Sequence, residues 1–121
     1  MLFRSLDRDS AAAALQACDV LVQPYPDGIT TRRTSVMAGL NSGIATVSTA
    51  GPLTERIWVE SRAVALAPVG DVTAFADQVA LLTRDAAARE ALGRRGAQLY
   101  ADRFSIERTV AVLRGAAAAA L

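Results

Sequence analysis

One segment of the chain combines residue types that suit the binding of phosphate. It reads Asp27-Gly28-Ile29-Thr30-Thr31-Arg32-Arg33. The glycine permits a positive φ angle and close approach of a ligand to the backbone, and the threonine hydroxyls can donate hydrogen bonds. Two adjacent arginines can neutralise a diphosphate, because a guanidinium binds phosphate oxygens in a bidentate way. The segment therefore predicts a diphosphate site.

A second loop, Thr49-Ala50-Gly51-Pro52 followed by Glu55, bears on this interpretation. Taken alone, the first segment is equally well explained as a turn, a helix cap and a solvated arginine pair. The second loop favours a ligand site, because both loops should open at the same edge of a parallel sheet. Glu55 can accept a hydrogen bond from a ribose or sugar hydroxyl, and it is equally consistent with a glutamate favoured by a helix dipole.

The composition excludes several kinds of site. The chain has no histidine, which rules out serine or cysteine catalysis with a histidine base. Its carboxylates do not cluster at metal-ligand spacings, so we expect no metal. Cys18 is the single cysteine and cannot form a disulfide within the chain. The net charge of +1 provides no field that would attract nucleic acid.

Helices and strands alternate around the two loops. The unbroken apolar run Val20–Val22 is typical of a parallel strand covered on both faces. Val36, Met37 and Leu40 form the buried stripe of the helix after the first loop, and Gly43 ends it as a left-handed residue. The predicted elements are a helix over 10–17, a strand over 20–23, a helix from Thr30 or Thr31 to Ser42, a strand over 44–48, a helix over 53–59 and a strand over 62–67, with residues 2–3 as the end of an earlier strand.

The remaining sequence predicts three helices. Asp71 caps the first, and a second begins near Asp85 and runs toward Ala101. Gly93 and Gly96 within the second helix can let another backbone come close. Ser105 and Glu107 open the third helix, which uses its own apolar stripe for packing, formed by Ile106, Val110 and Leu113.

These elements predict one α/β domain over residues 1–121. It is a partial Rossmann-like parallel sheet of three to four strands with flanking helices over 1–70, followed by a mainly helical end over 71–121. No apolar run approaches the ~20 residues that span a bilayer, and no signal peptide opens the chain, which predicts a cytoplasmic protein. The uncovered edge of the first strand is a potential site of homo-oligomer formation.

Several stretches together resemble a known family. They read CDVLV, PYPDGITTRRTSVMAGLNSGIATVST, AGP followed by Glu55, LAPVGD, LLTRD, REALG and YADRFSIE. In order and spacing they are similar to the nucleotide-sugar-binding domain of GT-B-fold glycosyltransferases of the family 4, or group 1, type, from about Leu15 to Leu113. The resemblance implies a nucleotide-diphosphate sugar as donor substrate, sugar transfer with retention, and no cofactor or required metal. It implies donor-binding roles for Asp27, Gly28, Ile29, Thr30, Thr31, Arg32, Arg33, Gly51 and Glu55.

The sequence also departs from that family. The typical donor site has two glutamates eight residues apart, and the matching positions here are Thr30 and Ala38. Donor contacts are therefore expected to shift to the loop backbone, Thr30, Thr31 and an arginine. The family's N-terminal domain, with the acceptor site, has no counterpart in this chain, so we expect no turnover by the chain alone and assign no catalytic residue. A non-catalytic interaction module and a nucleotide- or phosphate-binding regulator are the alternatives.

Overall fold

The computed structural model describes residues 7–120, with side chains through residue 116. The strand suggested at residues 2–3 lies outside the described residues. The elements are α1 (Arg8–Gln16), β1 (Val20–Gln23), α2 (Thr34–Asn41), β2 (Ala45–Ala50), α3 (Arg56–Glu60), β3 (Ala65–Pro68), α4 (Val72–Arg84), α5 (Ala86–Leu99), a π-helical segment (Tyr100–Phe104) and α6 (Ile106–Ala120).

The three described strands form one parallel sheet in the order β1-β2-β3. Val20 of β1 is paired with Ala45 of β2, and Val47 of β2 is paired with Ala65 of β3. Each connection between neighbouring strands contains a helix, as parallel pairing requires. The fold is therefore α/β with helices flanking a three-stranded parallel sheet and a helical C-terminal stretch, as the sequence predicted.

Two apolar clusters form the core of the described residues. In one, Ala45 and Val47 of the central strand β2 pack with Leu82 of α4 and Leu92 of α5. The other cluster is built around Trp58, which is fully buried and stacks on the ring of Phe104 with the centroids 5.6 Å apart. Its buried members come from the first loop, α2, α3, the segment before β3, and α5: Ile29, Val36, Leu40, Trp58, Ala63, Val64 and Leu99.

Three predicted helix ends agree with the structure, whereas α1 begins at Arg8 and not at residue 10, and α3 begins at Arg56 and not at residue 53. The Asp71 carboxylate accepts a hydrogen bond from the Ala74 amide, and the Asp85 carboxylate accepts one from the Ala88 amide. Gly43 has a φ of +71° and follows the C-cap of α2, which confirms the predicted left-handed residue. Short-range capping chemistry was thus sufficient to predict these ends.

Helix α2 begins later than predicted. Neither Thr30 nor Thr31 caps it; its N-cap is Arg33, which makes no side-chain capping hydrogen bond. The reason is a contact with a distant part of the chain, because the Thr31 hydroxyl is bound to the Glu55 carboxylate and does not accept a hydrogen bond from an amide of the first helical turn. The predicted helix start was therefore wrong by about one turn.

Other differences from the predictions concern the exposure of β1 and α6 and the start of β3. Strand β1 lies at an edge of the described sheet, and 41% of Val22 is exposed, so the strand is not covered on both faces. Strand β3 begins at Ala65 and not at residue 62, because Arg62 has a φ of +54° and cannot continue a strand. The predicted packing stripe of α6 is largely exposed. Among the described residues, no helix has the length and apolar character needed to cross a membrane.

Candidate functional site

The candidate site lies where the chain leaves the carboxyl ends of β1 and β2. We call residues 24–33 the first loop and residues 51–55 the second loop. The two loops are packed backbone to backbone, since a Cβ atom on Gly28 would collide with the Gly51 nitrogen, and one on Gly51 would collide with the Asp27 carbonyl oxygen. Gly28 also has a φ of +92°, which an L side chain rarely adopts. Glycine at both positions therefore makes this contact possible.

The end of β2 holds the first loop from the other side. The Ile29 amide donates to the Thr49 carbonyl oxygen at 2.7 Å, and the Thr49 hydroxyl donates to the Tyr25 carbonyl oxygen at 2.6 Å. Ile29 is itself fully buried in the apolar core. These contacts define the path of the first loop before any ligand is bound.

Glu55 joins the two loops. Its carboxylate accepts hydrogen bonds from the Thr31 amide, 3.1 Å from each oxygen, and from the Thr31 hydroxyl at 2.6 Å. Glu55 is the N-cap residue of α3 but makes no side-chain hydrogen bond to that helix. Its carboxylate therefore acts as a clamp on the first loop, and the proposed contact with a sugar hydroxyl would have to use the remaining lone pairs.

Two opposing effects act on the pKa of the Glu55 carboxyl. Partial burial is the largest single effect and raises the pKa, but the hydrogen bonds to the carboxylate, chiefly those from Thr31, together outweigh it, so the pKa is lower than the ordinary value of 4.5. The nearby indole N–H of Trp58 also lowers this pKa, to a smaller extent than Thr31. The folded protein thus favours the ionised carboxylate, which is the form that accepts all the hydrogen bonds of Thr31.

This lowered pKa predicts an acid sensitivity of the clamp. A lowered pKa in the folded state stabilises the protein above the unfolded-state value, about 4.5, and this contribution is lost as the pH falls through the folded-state pKa. We expect Glu55→Gln to lower the free energy of unfolding at pH 7 by about 1–2 kcal/mol and to reduce its fall between pH 7 and about pH 3.

The measurement is urea unfolding at both pH values, followed by the fluorescence of the single tryptophan, Trp58. Glu90→Gln, at an exposed position of α5, is the matched control. It should change neither the free energy of unfolding at pH 7 nor the fall of that free energy between the two pH values. An unaltered slope with pH in Glu55→Gln would show that the clamp does not depend on ionisation.

An open pocket of about 520 Å³ lies between the two loops. It is lined by five of the nine predicted site residues and by Leu53, which is 74% exposed and was not predicted. No pattern in the sequence distinguishes Leu53 from an ordinary residue of the short helix expected there. The lining residues are Asp27, Thr30, Arg32, Arg33, Leu53 and Glu55.

Four predicted site residues do not line this pocket. The Ile29 side chain lies in the core, and its amide is bound to Thr49, so neither group is open to a ligand. Gly28 and Gly51 shape the contact between the loops, and the Gly28 amide donates to the Tyr25 carbonyl oxygen. Thr31 is held by Glu55. These residues support the pocket from behind.

The two arginines of the pocket differ in their surroundings. Within residues 7–116 neither forms an ion pair with a carboxylate. The Arg33 guanidinium lies 4.6 Å from the centre of the Tyr25 ring, at the distance of a cation–π contact, and is partly buried. Arg32 is exposed. One cation is therefore held in place and the other is free to move toward a ligand.

A polar network that the sequence did not predict supports Arg33. The Tyr25 hydroxyl and the Ser35 hydroxyl share a hydrogen bond of 2.7 Å, and the Ser35 hydroxyl donates to the Gln23 side-chain carbonyl oxygen at 2.9 Å. The network fixes the Tyr25 ring on which Arg33 lies. This arrangement leaves less of the Tyr25 ring for the stacking of a base.

Helix α2 starts directly after Arg33 and presents its amino end beside the pocket. The first amides of a helix have no partner within the helix, and here no side chain caps them. The positive end of the helix dipole and two arginines thus lie together, which is an arrangement that attracts an anion. Among the described residues, no group of three or more histidine, cysteine or carboxylate side chains could hold a metal.

Comparison with known proteins adds no assignment. No protein-family model matches the chain, and no curated protein matches its sequence. The function must therefore be inferred from the geometry of the pocket and from the residues that line it.

Proposed function

We propose that the pocket binds the diphosphate of a nucleotide-sugar donor, and that the chain is the donor-binding part of a GT-B-fold glycosyltransferase of the family 4 type. The observation that supports this most directly is the meeting of Arg32 and Arg33 with the uncapped amino end of α2. All three lie at the carboxyl edge of a parallel sheet, where α/β proteins bind ligands.

Each group has a distinct task in this proposal. The arginines and the first amides of α2 neutralise the diphosphate, which is the leaving group when a sugar is transferred. Asp27 and Thr30 supply an acceptor and a hydroxyl to the same pocket, where a ribose or sugar hydroxyl would lie. Glu55 keeps the first loop in position through Thr31. No described residue is assigned as catalytic, and a cytoplasmic location belongs to the same proposal.

Titration with nucleoside diphosphates tests the proposal. We expect UDP, GDP or ADP to bind the wild-type chain, and Arg32→Gln and Arg33→Gln each to weaken binding about 10- to 150-fold, because a hydrogen bond to a charged group contributes about 1.5–3 kcal/mol. Calorimetry measures the affinity. Arg94→Gln, at an exposed position of α5, is a control with the same change of charge and should bind like the wild type.

Two results would contradict the proposal. One is the absence of binding at millimolar nucleotide, and the other is an equal loss of affinity in Arg94→Gln and Arg32→Gln, which would indicate attraction by net charge alone. Incubation with sugar nucleotides separates binding from catalysis. We expect no release of nucleoside diphosphate, because the proposal assigns neither a catalytic residue nor an acceptor site to the described residues.

One observation favours a second candidate function, a self-associating module. Strand β1 is an edge strand within the described sheet, and Val22 on it is partly exposed. An edge strand presents unpaired N–H and C=O groups to another chain. Failure to bind any nucleotide, together with a dimer that Val22→Lys abolishes, would favour this candidate over the first.

A further inference from the structure

The C-terminal helix α6 carries an apolar stripe that the described residues leave uncovered. Ile106 is 67% exposed and Leu113 is 64% exposed, with Val110 between them at 37%. Spacings of four and three residues place the three side chains on one face of the helix. The main contact of α6 with the rest of the protein is the neighbouring π-helical segment. A helix of this length draws most of its stability from covering such a face.

Two charged residues lie on one flank of the stripe. Glu107 directly follows Ile106, and Arg114 directly follows Leu113, so the two charges are seven residues apart on the same side of the helix. Both side chains are exposed. Among the described side chains neither takes part in an ion pair, since the single pair found joins Arg56 and Glu60. The flank of the stripe therefore carries a negative charge near the start of α6 and a positive charge two turns later.

We propose that α6 pairs with α6 of a second copy of the chain in an antiparallel arrangement. With the two helices centred near Val110, Glu107 of one copy lies opposite Arg114 of the other, and the symmetry repeats the pair at the other end. In a parallel arrangement Glu107 of one copy would lie at the level of Glu107 of the other copy, and neither ion pair would form. Charge complementarity thus selects both the partner and its direction.

The pairing is weak and reversible. The apolar contact drives it, because exposed ion pairs contribute at most about 1 kcal/mol and mainly determine the orientation. A contact of about two helical turns is smaller than a standard protein interface, so we expect a dissociation constant on the order of 100 μM. A depression of about 330 Å³ beside the stripe, with Val112 and Leu113 in its lining, gives room for side chains of the second helix.

Sedimentation equilibrium of the full chain tests the pairing. Between about 10 μM and about 1 mM we expect the average mass to rise from 12.7 kDa toward twice that value. Leu113→Glu should keep the mass at that of the monomer without changing the far-ultraviolet circular dichroism, because Leu113 does not pack in the core. Val72→Glu is the control, since Val72 is 78% exposed on another helix, and it should associate like the wild type.

Charge reversal tests the direction of the helices. Glu107→Arg and Arg114→Glu should each weaken association several-fold, and the double variant should restore it, because the opposite charges again face each other. A monomer at every concentration overturns the proposal, and so does a dimer that survives Leu113→Glu or that only Val22→Lys on β1 abolishes. A double variant that associates no better than the single variants overturns the antiparallel arrangement. None of these outcomes depends on nucleotide binding.

Discussion

Gly28→Ala is expected to lower the free energy of unfolding by about 3–5 kcal/mol, a large part of the 5–15 kcal/mol that stabilises a typical domain. Two costs add at this residue. An alanine at a φ of +92° is strained by about 1–2 kcal/mol. Its Cβ would also collide with the backbone of Gly51 and with the Thr54 hydroxyl, which is itself bound to the Gly51 amide. Backbone cannot move aside as a flexible side chain can, so the two loops must separate.

Gly70→Ala separates the two costs. Gly70 has a similar φ of +87°, but a Cβ there would meet no atom within 4 Å. It should therefore show only the conformational cost, about 1–2 kcal/mol. Urea unfolding followed by Trp58 fluorescence and by circular dichroism gives both values. Equal losses of unfolding free energy in Gly28→Ala and Gly70→Ala would mean that the two loops can separate at little cost. The contact between them would then contribute little to stability.

The same contact has a consequence for ligand binding. Because the candidate pocket lies between the two loops, a displacement of the first loop moves Arg32 and Arg33 away from the second. We therefore expect folded Gly28→Ala to bind nucleoside diphosphate more weakly than Gly70→Ala under the same conditions. This difference links the packing of glycine against glycine to the proposed function of the pocket.

The sequence predicted the elements whose signals are local. The bounds of β1 were predicted as Val20–Gln23 and observed unchanged, because two prolines end the strand and withhold their amide donors. The starts of α4 and α5 follow from Asp71 and Asp85, whose side chains bind amides three residues later. Such signals do not depend on what the rest of the chain does.

Contacts between distant residues account for the predictions that were wrong or incomplete. Thr31 had the chemistry of a helix cap, but Glu55, 24 residues later, takes its hydroxyl and amide. The sequence alone does not indicate whether Thr31 caps the helix locally or binds the distant Glu55. The stripe of α6 shows the same limit, since its spacing predicts an apolar face but cannot predict what covers that face. The network of Gln23, Tyr25 and Ser35 likewise required the loop to fold back on the strand.

The sequence predicted that the two loops lie at one edge of the sheet, but it did not predict which of their residues line the pocket between them. Five predicted residues line the pocket, while Ile29 proved to be a core residue and Thr31 a member of the clamp. The location followed from a general property of parallel sheets, whose loops at the carboxyl ends share one edge. The roles depend on which side chains are already held by neighbours, and this is a property of the folded chain.

Gly93→Ala is expected to lower the free energy of unfolding by about 2–3 kcal/mol, although alanine favours a helix by about 1 kcal/mol over glycine. A Cβ on Gly93 would collide with the carbonyl group of Gly43 and lie 3.5 Å from the Ala45 amide nitrogen. These atoms are backbone at the entrance to the central strand, so α5 must move away from the sheet. The sequence predicted a close approach at Gly93 but could not identify the backbone it meets.

Gly115→Ala is the matched control for Gly93→Ala, because it is the same substitution in a helix with no atom within 4 Å of the added Cβ. It should stabilise the protein by about 0.5–1 kcal/mol, the difference in helix propensity alone. Urea unfolding should therefore move the two variants in opposite directions from the wild type. A stabilised Gly93→Ala would show that α5 can shift without cost. In that case the contact of Gly93 with Gly43 would not hold the helix against the sheet, and Leu92 would have to do so through the apolar cluster it shares with Ala45 and Val47.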